Sequence, residues 1–178
     1  MKHCPACYSQ DLEIMFDMGY QPMSLVDLQE RSHSVNHPIR LAICRNCLHV
    51  HNIDFNPSYV NYANGCCMYN NGELWKEHMR HVRKRVESMF CDALIEVGAG
   101  DCSFLDSVDT EAVKIAIDPA AESAAAAEEY GFYHIRDKFC ADKHIPKGTM
   151  DVCIVMRHLL EHMEHPRDFI EDIAIKAY

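Results

Sequence analysis

Cys4-Pro5-Ala6-Cys7 and Cys44-Arg45-Asn46-Cys47 are two C-x2-C pairs. Two such knuckles, folded together, bring four thiolates to the corners of a tetrahedron, the donor set of a closed structural zinc site. Redox-active or merely unpaired dithiols are the alternative. The flanking sequence has too few large apolar residues to fold unaided, which favours metal as a staple. His3 and His37 are spare nitrogen donors expected at the surface. Cys66-Cys67 lacks metal spacing and, with Cys91, Cys102, Cys140 and Cys153, is expected in packing or local backbone contacts.

A second chemistry is written in Leu94-Ile95-Glu96-Val97-Gly98-Ala99-Gly100-Asp101-Cys102, an apolar run breaking into a glycine turn. Glycines admit a ligand close to the backbone, and a helix start beyond them offers free N–H donors. Asp118 follows about 20 residues later at the end of another apolar run, where a carboxylate can accept from both hydroxyls of a ribose. A nucleoside-containing cofactor is the expectation. The dinucleotide fingerprint G-x-G-x-x-G would need Gly or Ala at Ser103, which disfavours a nicotinamide oxidoreductase. His158-Leu159-Leu160-Glu161-His162 matches H-x-x-E-H, in which two histidines one helical turn apart bind zinc. That motif belongs inside a helix. Here it directly follows an apolar run and precedes Glu164-His165-Pro166, which reads as a loop.

These residues need elements to hold them. Ala93–Val97, Val113–Ile117 and Asp151–Met156 read as buried strands, and Phe132–Ile135 as a weaker one. Ser103–Val108, the alanine-rich Ala120–Tyr130 stopped by Gly131, and Arg167–Ala177 read as helices. A stripe of Leu74, Trp75, Met79, Val82, Val86, Met89 and Phe90 predicts a helix over Glu73–Phe90. Strand alternating with helix is the signature of a parallel, doubly wound sheet. The sequence therefore divides into a zinc-binding domain (1–56), a Tyr-rich connecting segment and helix (57–90), and a partial Rossmann-like domain (91–178).

The chain has 178 residues, 48% hydrophobic and 25% charged, the balance of a globular protein with material for a core. Lys+Arg 17 against Asp+Glu 27 gives a formal charge of -10, which argues against nucleic acid or an acidic membrane face as partner. A small-molecule substrate is the easier ligand. No apolar run approaches the roughly 18 residues of a membrane helix, and the first ten residues lack the apolar core of a secretion signal, so a cytoplasmic address is expected.

Glu96-Val97-Gly98-Ala99-Gly100-Asp101-Cys102 resembles the first motif of class I S-adenosylmethionine-dependent methyltransferases, and Ile117-Asp118-Pro119-Ala120 resembles their ribose-binding strand end. With the four-cysteine module, the segment around Tyr59 and Tyr62, and Asp151–Phe169, the chain is similar over nearly its whole length to the sugar C-methyltransferase group with a zinc-binding N-terminal domain. The resemblance implies a Rossmann-like α/β domain behind a small zinc-ribbon-like one, and methyl transfer to a small molecule, with a nucleotide-linked sugar as one acceptor. S-adenosylmethionine would lie against Glu96, Gly98, Ala99, Gly100, Asp101, Asp118 and Pro119, with Asp142 in the adenine region, where Asp137 competes, and with His158. The family's fourth strand ends in a similar His-x-Leu-Glu-His segment, which makes His162 the general base, with Glu161 orienting or replacing it. The tyrosines, Tyr69 included, would pack over the cofactor.

The chain departs from the family in two ways. Cys102 replaces the last glycine of the first motif and would leave less room for the methionine moiety. The sequence also stops after the helix following the fourth strand, where family members continue with three further strands. That leaves an unpaired apolar edge and points to a truncated gene product. Its alternative function is a zinc-bearing cofactor- or protein-binding module without catalysis. Lys76, Arg80, Arg83, Lys84 and Arg85 make the predicted helix basic, either as a solvated face or as a binding surface for a nucleotide-sugar diphosphate.

Overall fold

A computed structural model describes residues 3–22, 36–59, 72–146, 148 and 150–176, with backbone alone at Tyr59 and Lys176. The chain falls into two compact units, Met1–Asn61 with Glu161–Asp172, and Tyr62–Leu160 with Ile173–Tyr178. Tyr62, Tyr69, Cys66 and Cys67 lie outside the described residues.

In the first unit, β1 (Leu12–Pro22), β2 (Asn36–Cys44) and β3 (Val50–Asn52) form an antiparallel sheet in the order β1-β2-β3. The sequence reads here only as turn-rich, and the register explains why strands were hidden. The β1–β2 pairing slips between Ile14 and Phe16 and again between Asp17 and Tyr20. Each bulge resets which face a side chain takes, so the alternation that betrays a strand is lost. Most of β1 is exposed, including Phe16 and Tyr20. Among the described residues of this unit, the buried apolar ones are Cys4, Ala42 and Cys44. That core is too small to hold three strands by apolar burial alone. Arg40 adds a two-pronged ion pair with Asp54, Nε to Oδ2 at 2.6 Å and Nη2 to Oδ1 at 2.8 Å.

The second unit holds α1 (Glu73–Glu87), β4 (Ala93–Val97), α2 (Ser103–Ser107), β5 (Val113–Ile117), α3 (Ala121–Tyr130), β6 (Tyr133–Ile135), α4 (Ala141–His144) and β7 (Val152–Met156). Its strands form a parallel, Rossmann-like sheet in the order β6-β5-β4-β7. All five residues of β4 are buried, which is why this strand reads as a continuous apolar run rather than an alternation. Leu94, Phe104, Leu105, Val108, Ala116 and Ala127 make the core beside it. From β4 the chain crosses to β5 on one side and later to β7 on the other, so the strand order reverses at β4. In open α/β sheets the crevice beyond the strand ends at that point is where ligands bind.

Three helices and four strands of this unit's sequence reading need few changes. Gly131 ends α3 with φ 75°, its N–H bonded back to Glu128 O, as a left-handed C-cap should be. α1 stops earlier than its apolar stripe suggests. The Ser88 hydroxyl donates to Arg85 O and closes the last turn, leaving Met89 and Phe90 beyond the helix and Phe90 91% exposed. The single turn α4 carries no periodic signal and was not expected. Among the described residues β7 pairs with β4. α5 (Pro166–Lys176) ends the described chain, and no helix there is long and apolar enough to cross a membrane.

Candidate functional site

The two cysteine knuckles have one backbone design used twice. Cys4 N–H donates to Ser9 O and Tyr8 N–H to Cys4 O; Cys44 N–H donates to His49 O and Leu48 N–H to Cys44 O. The residue after the second cysteine of each pair, Tyr8 or Leu48, takes left-handed φ, 62° and 63°. That turn folds both thiols of a pair to the same side. Cys4 Sγ lies 3.7 Å from Cys47 Sγ, Cys7 Sγ lies 3.6 Å from Cys44 Sγ, and all four sulfurs fall within 4.8 Å of one another. A zinc ion with Zn–S bonds of about 2.3 Å sets tetrahedron edges of about 3.8 Å. The spacing fits that ion and is far longer than a disulfide, about 2.05 Å.

The electrostatics agree. Asn46 Nδ2 donates to Cys7 Sγ at 3.5 Å, and this bond with the Ser9 amide lowers the Cys7 thiol to about 6. Against the His49 amide, which lowers it, Cys7, burial and Cys4 together push the Cys47 thiol up to about 12. Burial likewise raises Cys4. One thiolate forms readily and its neighbours resist the second negative charge, so the four are poised for a cation that neutralises them. His3 is exposed, and His37 lies against the Asp54 carbonyl, so neither is part of the cluster.

In the second unit the glycine turn and the acid after β5 come together at the carboxyl edge of the sheet. Asp118 Oδ2 accepts from Gly100 N–H at 3.0 Å and Oδ1 from Ala120 N–H at 2.8 Å, while Gly98 N–H donates to Ile117 O at 2.8 Å. The acid thus pins two loops before any ligand is considered, a role its spacing alone did not disclose. Gly98 has φ 74° and Gly100 φ 54°. A Cβ at Gly98 would approach Leu159 Cδ1 to 3.2 Å, so the loop after β7 lies over the turn, and a side chain there would be both crowded and on left-handed backbone. Ala99 is buried, its carbonyl accepting from Cys102 N–H, and Asp101 Oδ1 accepts from both Ser103 N–H and its hydroxyl, starting α2. Pro119 is half-buried, with its carbonyl 3.3 Å from Arg136 Nε.

Cys102 stands where the last glycine of the motif would be. It has φ 58°, the backbone a glycine would supply, and its buried thiol contacts Ser123 O at 3.7 Å and Ser123 Oγ at 3.8 Å. The side chain is used in the seam with α3, and its sulfur also lies 4.0 Å from Gly100 O within the turn.

Glu96 is fully buried, and its partner Arg157 is a residue that sequence reasoning overlooked. Arg157 Nε and Nη2 reach Glu96 Oε1 at 2.7 and 2.6 Å, its guanidinium stacks 4.2 Å from the Phe104 ring, and Nη1 touches Met79 Sδ. Burial outweighs the guanidinium and pushes the Glu96 carboxyl up to about 7, and Oε2 has no hydrogen-bond partner. The signal was available: an acid within a wholly apolar strand demands a cation from a neighbouring strand end.

The His-x-x-Glu-His segment is not a helix. His158 has φ 49°, and only Leu160–His162 form a short 3-10 turn, so the two imidazoles are not presented one α-helical turn apart. His158 is exposed and its ring lies tilted against Trp75, centroids 4.8 Å apart. Glu161 and His162 are exposed and belong to the first unit, whereas the glycine turn, Asp118 and His158 belong to the second. Asp142 is exposed in α4, and Asp137 is engaged by Lys143, which with the Lys138 amide lowers its carboxyl.

The fold and sites define an α/β protein with a parallel sheet, a glycine turn at its switch point, and a separate antiparallel module carrying four clustered thiols. No protein-family model matches this chain, and no curated protein matches it.

Proposed function

We propose that the protein is an S-adenosylmethionine-dependent methyltransferase acting on a small molecule, with a nucleotide-linked sugar as acceptor and structural zinc on Cys4, Cys7, Cys44 and Cys47. One observation carries the reading: the carboxylate after β5 lies 3.0 Å from an amide of the glycine turn after β4, at the point where the strand order reverses. Each Asp118 oxygen accepts one amide and retains a second lone pair, so the carboxylate can hold the turn and still receive ribose hydroxyls. S-adenosylmethionine supplies a methyl made electrophilic by its sulfonium. The protein has then to align donor and acceptor and accept one proton, which this reading assigns to a His162 imidazole nitrogen, with Glu161 orienting or replacing it.

A second reading, a zinc-bearing binding module without catalysis, draws on the purely structural use Asp118 already has. Calorimetry on zinc-loaded protein separates the readings, with S-adenosylmethionine, its demethylated product and NAD as ligands. Binding of the first two supports the methyltransferase. Binding of NAD alone, or of none, counts against it.

A further inference from the structure

Three sulfurs meet at the amino ends of β4 and β7, the end of the sheet away from the glycine turn. Met89 Sδ lies 3.7 Å from Cys153 Sγ, and the Cys91 thiol hydrogen-bonds with that of Cys153. The backbone builds this meeting. Ser88 N–H donates to Lys84 O and Met89 N–H to Val86 O, which ends α1 just ahead of Met89. Asp92 N–H and Ala93 N–H both donate to Asp151 O, and Asp92 Oδ2 accepts from Asp151 N–H at 2.8 Å. Asp92 and Asp151 thus clamp the start of β4 to the start of β7, with Cys91 just before the clamp and Cys153 just after it. The length of β4, roughly 16 Å at about 3.3 Å per residue, separates the sulfurs from the glycine turn.

Packing is only half of what the two cysteines offer. Both lie against the apolar core of the second unit and both are half-buried, while Met89 is 48% exposed, so an ion can reach the sulfurs from solvent. Burial first, and then Cys91, raise the Cys153 thiol, which keeps its proton until a cation replaces it. Among the described residues, no imidazole or carboxylate joins these two thiols in a group close enough to share an ion. The four N, O or S ligands that zinc takes are therefore not assembled here. Two thiols with a thioether are instead the donor set of a soft monovalent d10 cation, Cu(I) being the type. Three sulfurs about 2.3 Å from an ion in one plane stand about 4 Å apart, so the 3.7 Å contact needs little adjustment. A disulfide fits less well. The register sets Cys153 level with Leu94, not with Cys91, whereas an S–S bond needs Cα atoms within about 7 Å, and it would leave the thioether unused.

We propose that Met89, Cys91 and Cys153 form a trigonal site for a soft monovalent cation of the Cu(I) class. Binding exchanges the two thiol protons for the ion. Both S–H bonds break, the two thiolates and a lone pair of the Met89 thioether bind the metal, and the protons pass to solvent with no change of oxidation state. The site is separate from the four-thiol cluster, which belongs to the first unit, whereas all three of these sulfurs belong to the second. It stands whether or not the protein transfers methyl groups.

Cu(I) titrated anaerobically into the zinc-loaded full chain, against a coloured Cu(I) chelator and with a zinc indicator present, tests it. The first equivalent should bind without releasing zinc, and its X-ray absorption should show three sulfur neighbours. Met89→Leu keeps the volume at an exposed position and should weaken that binding about ten-fold or more, since losing even an outer contact of a metal site costs about that. Cys153→Ser, with folding checked by circular dichroism, should remove the site. Cys140→Ser, at an exposed thiol elsewhere in the same unit, should change the affinity no more than about two-fold, as distant substitutions do. Zinc released by the first equivalent, two or four sulfur neighbours in place of three, or a Met89→Leu affinity no weaker than that of Cys140→Ser would overturn the proposal.

Discussion

Glu96→Gln should abolish a pH dependence of stability that the wild-type fold builds in. Burial raises this carboxyl from 4.5 to about 7 despite the Arg157 guanidinium 2.6 Å away. A carboxyl whose folded pKa lies above its unfolded one binds its proton more tightly in the native state. Its contribution is therefore fully present below about pH 4.5 and is lost as pH rises through 7. At 1.36 kcal/mol per unit the whole window amounts to about 3 kcal/mol, of which about 2 kcal/mol lies above pH 5.5. Glutamine keeps the shape and an acceptor for Arg157 but has no proton to exchange. Trp75, the sole tryptophan, lies in α1 of the same unit, so its fluorescence during urea unfolding reports that unit. Measured at several pH values from 5.5 to 8.5, the stability of wild type minus that of the glutamine variant should fall by about 2 kcal/mol. Subtraction removes the background of His134 and His144, whose burial lowers their pKa values and works in the opposite sense. A difference that stays level across the range would refute the reasoning, because it would mean Glu96 is ionised throughout and the ion pair has overcome burial.

Purified protein should contain one zinc per chain by elemental analysis, and Cys44→Ser should lose both the metal and the fold of the first unit; a metal-free but folded wild type would contradict this. Asp118→Ala should weaken S-adenosylmethionine binding by about 1.5 to 3 kcal/mol in calorimetry and also lower the melting temperature, because the Gly100 and Ala120 amides lose their acceptor. Unchanged stability would show that those two bonds contribute nothing. Leu48→Gly removes a 70% exposed side chain from left-handed backbone and should raise stability by up to about 1 kcal/mol, read from thermal melts; a clear loss would show the leucine packs.

The elements legible in the sequence are those whose apolar residues run together or recur at helical spacing. β4, β5 and β7 announce themselves as short apolar runs, wholly buried in β4 and partly exposed in β5 and β7, and α3 because alanines run into Gly131. β1 was illegible because two bulges break its period and most of its side chains meet solvent. The four thiols could be grouped from spacing alone, since the C-x2-C turn is local; the equivalence of Tyr8 and Leu48 could not, since neither is the glycine that a left-handed turn advertises. Asp118 was legible from its spacing to the glycine turn, while its bonds to Gly100 and Ala120 depend on a parallel register that no spacing encodes.

Arg157 is the instructive omission, because it shows where local reading stops. Strand pairing sets Val97 beside Met156, so the residue after β7 arrives next to the end of β4, and a glutamate one position earlier on β4 acquires a cation 61 positions away. The pair lies beside the glycine turn: Glu96 precedes Gly98 by two residues, and the Arg157 guanidinium lies 4.2 Å from the Phe104 ring of α2. Burial holds the carboxyl close to neutrality while the guanidinium stays charged. The guanidinium therefore stands as a cation at a sheet edge that also carries the Asp101 and Asp118 carboxylates, beside the glycine turn. The setting of the turn thus depends on a contact across the sheet as well as on its own glycines.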